Sequence, residues 1–299
     1  MVGHRKNLLS VQDLAINDVG NIIKLASQYL GNKAAGCHVL KNKTVINLFF
    51  EDSTRTLVSF EIAAKSLGAN VITLPIKASS INKGEDLKDM VKTLNAMNPD
   101  YIIIRQKSSG IINVLAQCVN CSLINAGNGS NEHPTQALTD FFVISSYKDQ
   151  MKNLKIVICG DVLHSRVARS NIRLLRMFGV KICLIAPPTL IYRYFTEVDS
   201  VHYSLIEGIK DADVIMLLRL QRERMNNGYF ISSEREYFHL YGLDSQKLLY
   251  AKPDVIVMHP GPINRGVEIS DDIADCVILK QIEFGLAIRK AVLHYYSPC

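Results

Sequence analysis

The chain has 299 residues, 48% of them hydrophobic and 21% charged, with a mean hydropathy of +0.10, which excludes collagen, low-complexity disorder and a disulfide miniprotein. Lys and Arg number 34 against 28 acids; the net charge of +6 fits anionic ligands but is too small to argue for nucleic acid. No apolar run approaches the ~20 residues of a membrane span, and residues 1–10 have two bases without an apolar stretch behind them, so neither a membrane protein nor a signal peptide is expected. Beyond roughly 250 residues single cores tend to split, which makes two domains the expectation.

In chain order, helical spacing appears first at Val19, Ile22, Ile23, Ala26 and Leu30, with Asn17 as N-cap and Gly31 as stop. A strand follows at 44–50, then a helix from about Thr54 that ends at Gly68, then a strand at 71–74. Leu87, Met90, Val91 and Leu94 mark a helix, and 101–104 and 122–126 are short buried strands. A helix opens at Pro134, where proline suits the first helical position. The cycle restarts with strands at 155–159, 181–185, 213–218 and 254–258, a helix at 164–178 and a final helix at 281–296. Strands alternating with helices predict an α/β protein of two halves, each built on a mostly parallel sheet, joined near the helix that starts at Pro134. The seven cysteines (37, 118, 121, 159, 183, 276 and 299) are scattered, as expected of reduced thiols in a cytoplasmic protein. Cys118 and Cys121 have no second pair and no histidine set, so no metal is expected.

Ligands of open α/β sheets bind outside the carboxyl ends of strands. At those ends this sequence repeatedly places arginine or histidine. After the first strand, Ser53, Thr54, Arg55 and Thr56 put hydroxyls, orphan N–H groups and a guanidinium at one helix start, a cradle for phosphate unlike a P-loop; taken alone, an N-cap with a surface arginine explains these residues as well. Arg105 follows the third strand and His133 precedes Pro134; with Thr56 they can donate to a carbonyl oxygen, and Gln136 can bond a neutral amide. No serine motif or partner carboxylate marks a hydrolytic triad. In the second half, Cys159-Gly160-Asp161 lacks the later glycines of a dinucleotide fingerprint, which argues against NAD. Arg166, Arg219 and Gln221 remain, a set suited to a ligand with two carboxylates, while Arg222 and Arg224 read as a solvated charged stretch, and Lys83 as a surface lysine.

The ordered motifs resemble the catalytic chains of aspartate carbamoyltransferases, from about Leu8 to the final helix. They are Phe50-Glu51-Asp52-Ser53-Thr54-Arg55-Thr56, Lys83-Gly84-Glu85, the run from Asn125 to Gln136, Gly160 to Ser170 in its bacterial form, Arg219-Leu220-Gln221, and His259-Pro260-Gly261-Pro262. The resemblance implies carbamoyl transfer from carbamoyl phosphate to L-aspartate, an early step of pyrimidine synthesis, without a cofactor. It implies a carbamoyl-phosphate domain at 1–135, completed by a C-terminal helix returning at about 286–299, and an aspartate domain at 136–285. By motif, Ser53, Thr54, Arg55 and Thr56 hold the phosphate, Thr56, Arg105 and His133 address the carbonyl oxygen, and Gln136 the carbamoyl NH2. Arg166 takes the α-carboxylate of aspartate, Arg219 and Gln221 take the β-carboxylate, and backbone at Gly261 and Pro262 completes the site, with a cis bond expected before Pro262. Ser79 and Lys83 match residues that the family lends to a neighbouring subunit, implying a homotrimer with shared active sites, open to higher assemblies with regulatory chains. Carbamoyl phosphate is expected first, with aspartate then drawing the second half over it. Leu57 stands where the family often has a further arginine. Two rivals are an acceptor other than aspartate, such as ornithine, and a non-catalytic scaffold. The first is expected to have an acid for a basic side chain and usually His-Cys-Leu-Pro; the second is expected to have lost donors that are present here.

Overall fold

The computed structural model describes residues 7–32, 35–76, 84–191, 196–225, 230–274 and 278–297. The chain forms two compact units, residues 1–139 with 283–299, and residues 140–282.

The first unit is a four-stranded parallel sheet in the order β2-β1-β3-β4. Its strands are β1 (Thr44–Phe49), β2 (Asn70–Leu74), β3 (Tyr101–Gln106) and β4 (Ser122–Asn128). The inner strands read as nearly continuous apolar runs because both faces are covered. Ile46, Leu48, Ile102, Ile104 and Leu123 pack one face against Met90, Val91 and Leu94 of α3 (Leu87–Ala96) and Ile112 and Leu115 of α4 (Ile111–Ala116). Helix α1 (Ile16–Tyr29) buries Val19, Ile22, Ala26 and Tyr29, four positions at helical spacing. Its N-cap is Ala15 and not Asn17; Asp18, at the third helical position, turns back to accept the Ala15 N–H at 2.9 Å. Helix α2 (Thr54–Ser66) stops at Gly68, which takes φ +91° with the Cys37 carbonyl 2.6 Å from where a Cβ would lie. Helix α5 (Pro134–Tyr147) begins in this unit, and the last helix, α10 (Ile278–Tyr295), ends in it, where His294 meets the Tyr29 hydroxyl at 2.7 Å.

The second unit is a five-stranded parallel sheet in the order β7-β6-β5-β8-β9. Its strands are β5 (Lys155–Gly160), β6 (Lys181–Ile185), β7 (Ser200–His202), β8 (Val214–Leu218) and β9 (Ile256–Met258). Its own helices are α6 (Arg166–Arg176), α7 (Leu205–Ile209), α8 (Glu234–Tyr241) and α9 (Ser245–Leu248). Strand β7 and helices α4, α7, α8 and α9 were not foreseen from periodicity; each is too short to show a repeat. The cysteines at 37, 118, 121, 159 and 183 are free, with Cys37 exposed and Cys121, Cys159 and Cys183 buried. No helix among the described residues is long and apolar enough to cross a membrane.

Candidate active site

Strand order fixes where a ligand can enter. In the first sheet the chain goes from β1 outward to β2, then returns to the other side of β1 as β3, so the crevice opens between β1 and β3. In the second sheet β5 is followed outward by β6 and β7 before β8 returns beside β5. Ligands of doubly wound sheets bind at such switch points, outside the carboxyl ends of the strands. Every side chain assigned from the sequence to the phosphate or the distal carboxylate follows one of these strands.

At the first switch point, β1 delivers Glu51 and the start of α2. Ser53 holds the N-cap position, but its side chain makes no capping hydrogen bond, so the first-turn N–H groups of α2 are not closed by that hydroxyl. Thr54 and Arg55 are exposed there, and Thr56 is buried. Leu57, in place of the family's frequent arginine, is half-buried, and its N–H closes the first turn on the Ser53 carbonyl at 3.0 Å. Arg105 lies inside β3, one residue beyond the predicted strand, where the Phe50 N–H donates to its carbonyl at 2.9 Å. The residue is buried, and its guanidinium donates to Glu51 Oε1 at 3.0 Å and to the Ala126 carbonyl at 3.2 Å. One arginine thereby spans the carboxyl ends of β1, β3 and β4. His133 is buried immediately before α5, and its carbonyl accepts from the N–H groups of Gln136 and Ala137 at 3.0 and 3.2 Å, which fixes both ends of the His133–Gln136 turn. Glu132, also buried, accepts from Ser10 at 3.1 Å.

The second switch point requires close strand approach. Gly160, the last residue of β5, has φ +126°, and a Cβ there would fall 2.3 Å from the Leu218 carbonyl oxygen of β8. Asp161 follows, fully buried. Its Oδ2 accepts the Gln221 N–H at 3.0 Å across the switch point, and its Oδ1 accepts from the His164 N–H at 3.1 Å and ring Nδ1 at 2.9 Å. Ser165 caps α6 by accepting from the Ala168 N–H, and Arg166, buried at 4% exposure, begins the helix. Arg219 follows β8 and clamps the Glu223 carboxylate with both terminal nitrogens, one at 3.1 Å, while Gln221 Oε1 lies 3.4 Å away. Burial pushes the Glu223 carboxyl up, but the Arg219 guanidinium, a backbone N–H and the charge of Arg224 together outweigh it, and the group titrates below its ordinary value.

Arg222 is the exposed surface charge its sequence suggests, whereas Arg224 is not merely solvated. Arg222 pairs with Glu234, and Arg224 is half-buried, donating to the His164 carbonyl at 2.8 Å. Beyond β9, Gly261 and Pro262 are joined by a cis peptide bond. That loop is held by His259, whose Nδ1 accepts the Gly261 N–H at 2.8 Å while Nε2 faces Glu268 at 3.2 Å. Because Nδ1 accepts, the ring proton is on Nε2, donated to the carboxylate. Ser79 and Lys83 lie outside the described residues. Sequence reasoning missed Glu51, Asp161, His164, Glu223 and Arg224 as working residues; the available signal was an acid immediately after β1 and again after β5. Among the described residues no group of His, Cys, Asp and Glu could hold a metal ion.

Fold and site together define a two-unit parallel α/β protein with a cationic crevice at each sheet's switch point. Residues 6–146 match the family model described as aspartate/ornithine carbamoyltransferase, carbamoyl-P binding domain, and residues 152–296 match the Asp/Orn binding domain of the same family. The chain belongs to the aspartate/ornithine carbamoyltransferase family. It is 78% identical over 298 residues to the aspartate carbamoyltransferase catalytic subunit of Wolbachia sp. subsp. Brugia malayi (strain TRS), covering 100% of both chains. Among solved structures it resembles aspartate transcarbamoylase from Trypanosoma cruzi in complex with N-(phosphonacetyl)-L-aspartic acid, with TM-score 0.87, 30% identity and 97% and 95% of the two chains covered. It also resembles ornithine carbamoyltransferase from Pyrococcus furiosus, with TM-score 0.86, 26% identity and 97% and 96% covered. The fold is therefore common to both acceptor classes, and acceptor choice rests on particular side chains.

Proposed function

We propose that this chain transfers the carbamoyl group of carbamoyl phosphate to the amine of L-aspartate, giving N-carbamoyl-L-aspartate and phosphate, an early step of pyrimidine synthesis. The observation that carries the acceptor choice is Arg219, which already grips a carboxylate, that of Glu223, beside Gln221. A guanidinium at that position suits a dicarboxylic amino acid, whereas an acceptor with a basic side chain calls for an acid.

In this reading Ser53, Thr54, Arg55 and Thr56 hold the phosphate at the start of α2, where orphan N–H groups and the helix dipole favour an anion. Thr56, Arg105 and His133 donate to the carbonyl oxygen, and Gln136 bonds the carbamoyl NH2. The neutral amine attacks the carbonyl carbon and forms the C–N bond, while the carbonyl electron pair moves onto oxygen. Collapse of that oxyanion breaks the C–O bond to phosphate, and the amine's surplus proton leaves with the phosphate. The protein supplies position and fixed positive charge, with no covalent intermediate and no cofactor. Glu51 serves here by keeping the Arg105 guanidinium anchored at 3.0 Å. Arg166 takes the α-carboxylate, Arg219 and Gln221 the β-carboxylate, and the backbone at Gly261 and Pro262 completes the amino-acid side.

The minimal enzyme is a cytoplasmic homotrimer in which Ser79 and Lys83 serve a neighbouring subunit. Support for the assembly comes from the edge of the first sheet, where Ile72 of β2 and Val58 and Ile62 of α2 are exposed apolar side chains. Free cysteines accord with the reducing compartment.

Assaying the purified chain with carbamoyl phosphate and either L-aspartate or L-ornithine tests the reaction. Carbamoyl aspartate is the expected product; product from ornithine alone, or none at all, contradicts the reading. Mixing inactive Lys83→Ala chains with inactive Arg55→Ala chains tests the shared site. One mixed interface then carries both intact groups and activity returns, whereas reassembled trimers with no recovery exclude sharing.

A further inference from the structure

One residue in the second unit makes contacts that the proposed chemistry does not use. His164 lies between β5 and α6 and is linked to the segment 219–224 in two ways, directly through its carbonyl and indirectly through Asp161. Its ring Nδ1 is 2.9 Å from Asp161 Oδ1 and 3.1 Å from Oδ2, and its N–H also donates to Oδ1 at 3.1 Å. A carboxylate only accepts, so Nδ1 carries the proton. The same carboxylate receives the Gln221 N–H at 3.0 Å. Three residues on, Arg224 donates to the His164 carbonyl at 2.8 Å. The ring also makes an apolar contact, an edge-on approach to Phe230 with centroids 5.1 Å apart and planes at 90°.

The consequence follows from how a carboxylate is held. Asp161 is fully buried, and its plane about the Cβ–Cγ bond is set by how firmly the donors on its two oxygens hold it, the shortest being the His164 ring Nδ1 at 2.9 Å. His164 supplies two of the three donors on it, and Gln221 supplies the third. Removing the ring donor leaves the plane set by two backbone N–H groups, and the grip on Gln221 loosens. Arg219 lies two residues before that anchor, on a segment that has already left the β8 ladder. Its guanidinium is held within that segment by Glu223, so where the segment is anchored sets where the guanidinium sits.

We propose that His164 is a positioning residue for the amino-acid substrate: its Nδ1–H orients Asp161, Asp161 pins the backbone at Gln221, and this sets the register of the Arg219–Gln221 pair that takes the distal carboxylate. The proposal rests on the reading of that pair as the β-carboxylate site.

Two substitutions separate the donor from the ring. His164→Asn puts an amide N–H at the same number of bonds from Cα as Nδ1 but removes the ring, whereas His164→Phe keeps the ring against Phe230 and removes the donor. Steady-state kinetics on the full chain, with both substrates varied, provide the readout. His164→Phe is expected to raise KM for L-aspartate about tenfold or more, the scale of a lost hydrogen bond to a charged group. KM for carbamoyl phosphate should stay within about twofold, with kcat at saturating aspartate largely kept and His164→Asn close to wild type. The reverse order, with Phe tolerated and Asn impaired, makes His164 a packing residue and overturns the proposal. So does an equal loss in both KM values and in thermal stability, which marks a general structural defect. A wild-type chain that forms no carbamoyl aspartate overturns the functional reading itself, whereas an active wild type with an indifferent His164→Phe overturns this proposal alone.

Discussion

The two sheets reverse direction in the same way, and in each an acid follows the central strand before the reversal, Glu51 after β1 and Asp161 after β5. What the acid holds differs. Glu51 holds a side chain, the guanidinium of Arg105, whose backbone is already locked in the β3 ladder. Asp161 holds backbone, the Gln221 N–H, because Arg219 and Gln221 lie beyond the end of β8. A helix start and a strand end make a phosphate site that needs only its charge aimed. A carboxylate site carried on a loop needs the chain itself tied down first. Mutations at the first site are consequently expected to cost carbamoyl-phosphate binding or the chemical step, and mutations at the second to cost affinity for aspartate alone.

The largest effect that sharpens this contrast is Arg105→Ala, expected to cost about 10²–10³ in kcat with the fold intact, the usual toll of one lost oxyanion donor. Carbamoyl-aspartate formation at saturating substrates checks it. Glu51→Gln, which keeps the size but not the charge, should fall in the same direction by a smaller factor. Next comes Arg219→Ala, expected to raise KM for aspartate by about ten- to a hundredfold while leaving KM for carbamoyl phosphate in place. A matched rise in both constants would erase the distinction between the sites. Gly160→Ala forces a Cβ onto the Leu218 carbonyl oxygen at a left-handed backbone position and should destabilise the second unit by roughly 1–3 kcal/mol, read from denaturant midpoints. The smallest effect concerns Cys159, one residue before that glycine. Burial pushes its thiol up to about 12, so as pH rises past 9 the unfolded chain ionises first and the native state loses relative stability. Cys159→Ala should flatten this alkaline decline, and the exposed Cys37 should be alkylated well before Cys159 in the native chain.

The residues that could be read from the sequence are those whose pattern is local. The inner strands β1, β3, β5, β6 and β8 and the buried strand β4 show as largely apolar runs, and Pro134 and Gly68 punctuate helices by their own backbone limits. Strand β7 is three residues at the sheet edge with Val201 exposed, which leaves too little apolar signal to separate it from loop. Arg224 was misread because a run of alternating charges looks solvated until a distant carbonyl, that of His164, gives it a partner. Asp161 and Glu51 escaped notice for a related reason. Their work is to hold another residue across a strand reversal, and strand order belongs to topology rather than to any stretch of sequence.

That each reversal serves one substrate is tested most directly by calorimetric titration of carbamoyl phosphate into wild type, Arg55→Ala and Arg219→Ala chains without aspartate. Arg219→Ala is predicted to bind it as wild type does, and Arg55→Ala to lose most of the affinity. Equal loss in both variants, or retained binding in Arg55→Ala, would contradict the division of the two sites.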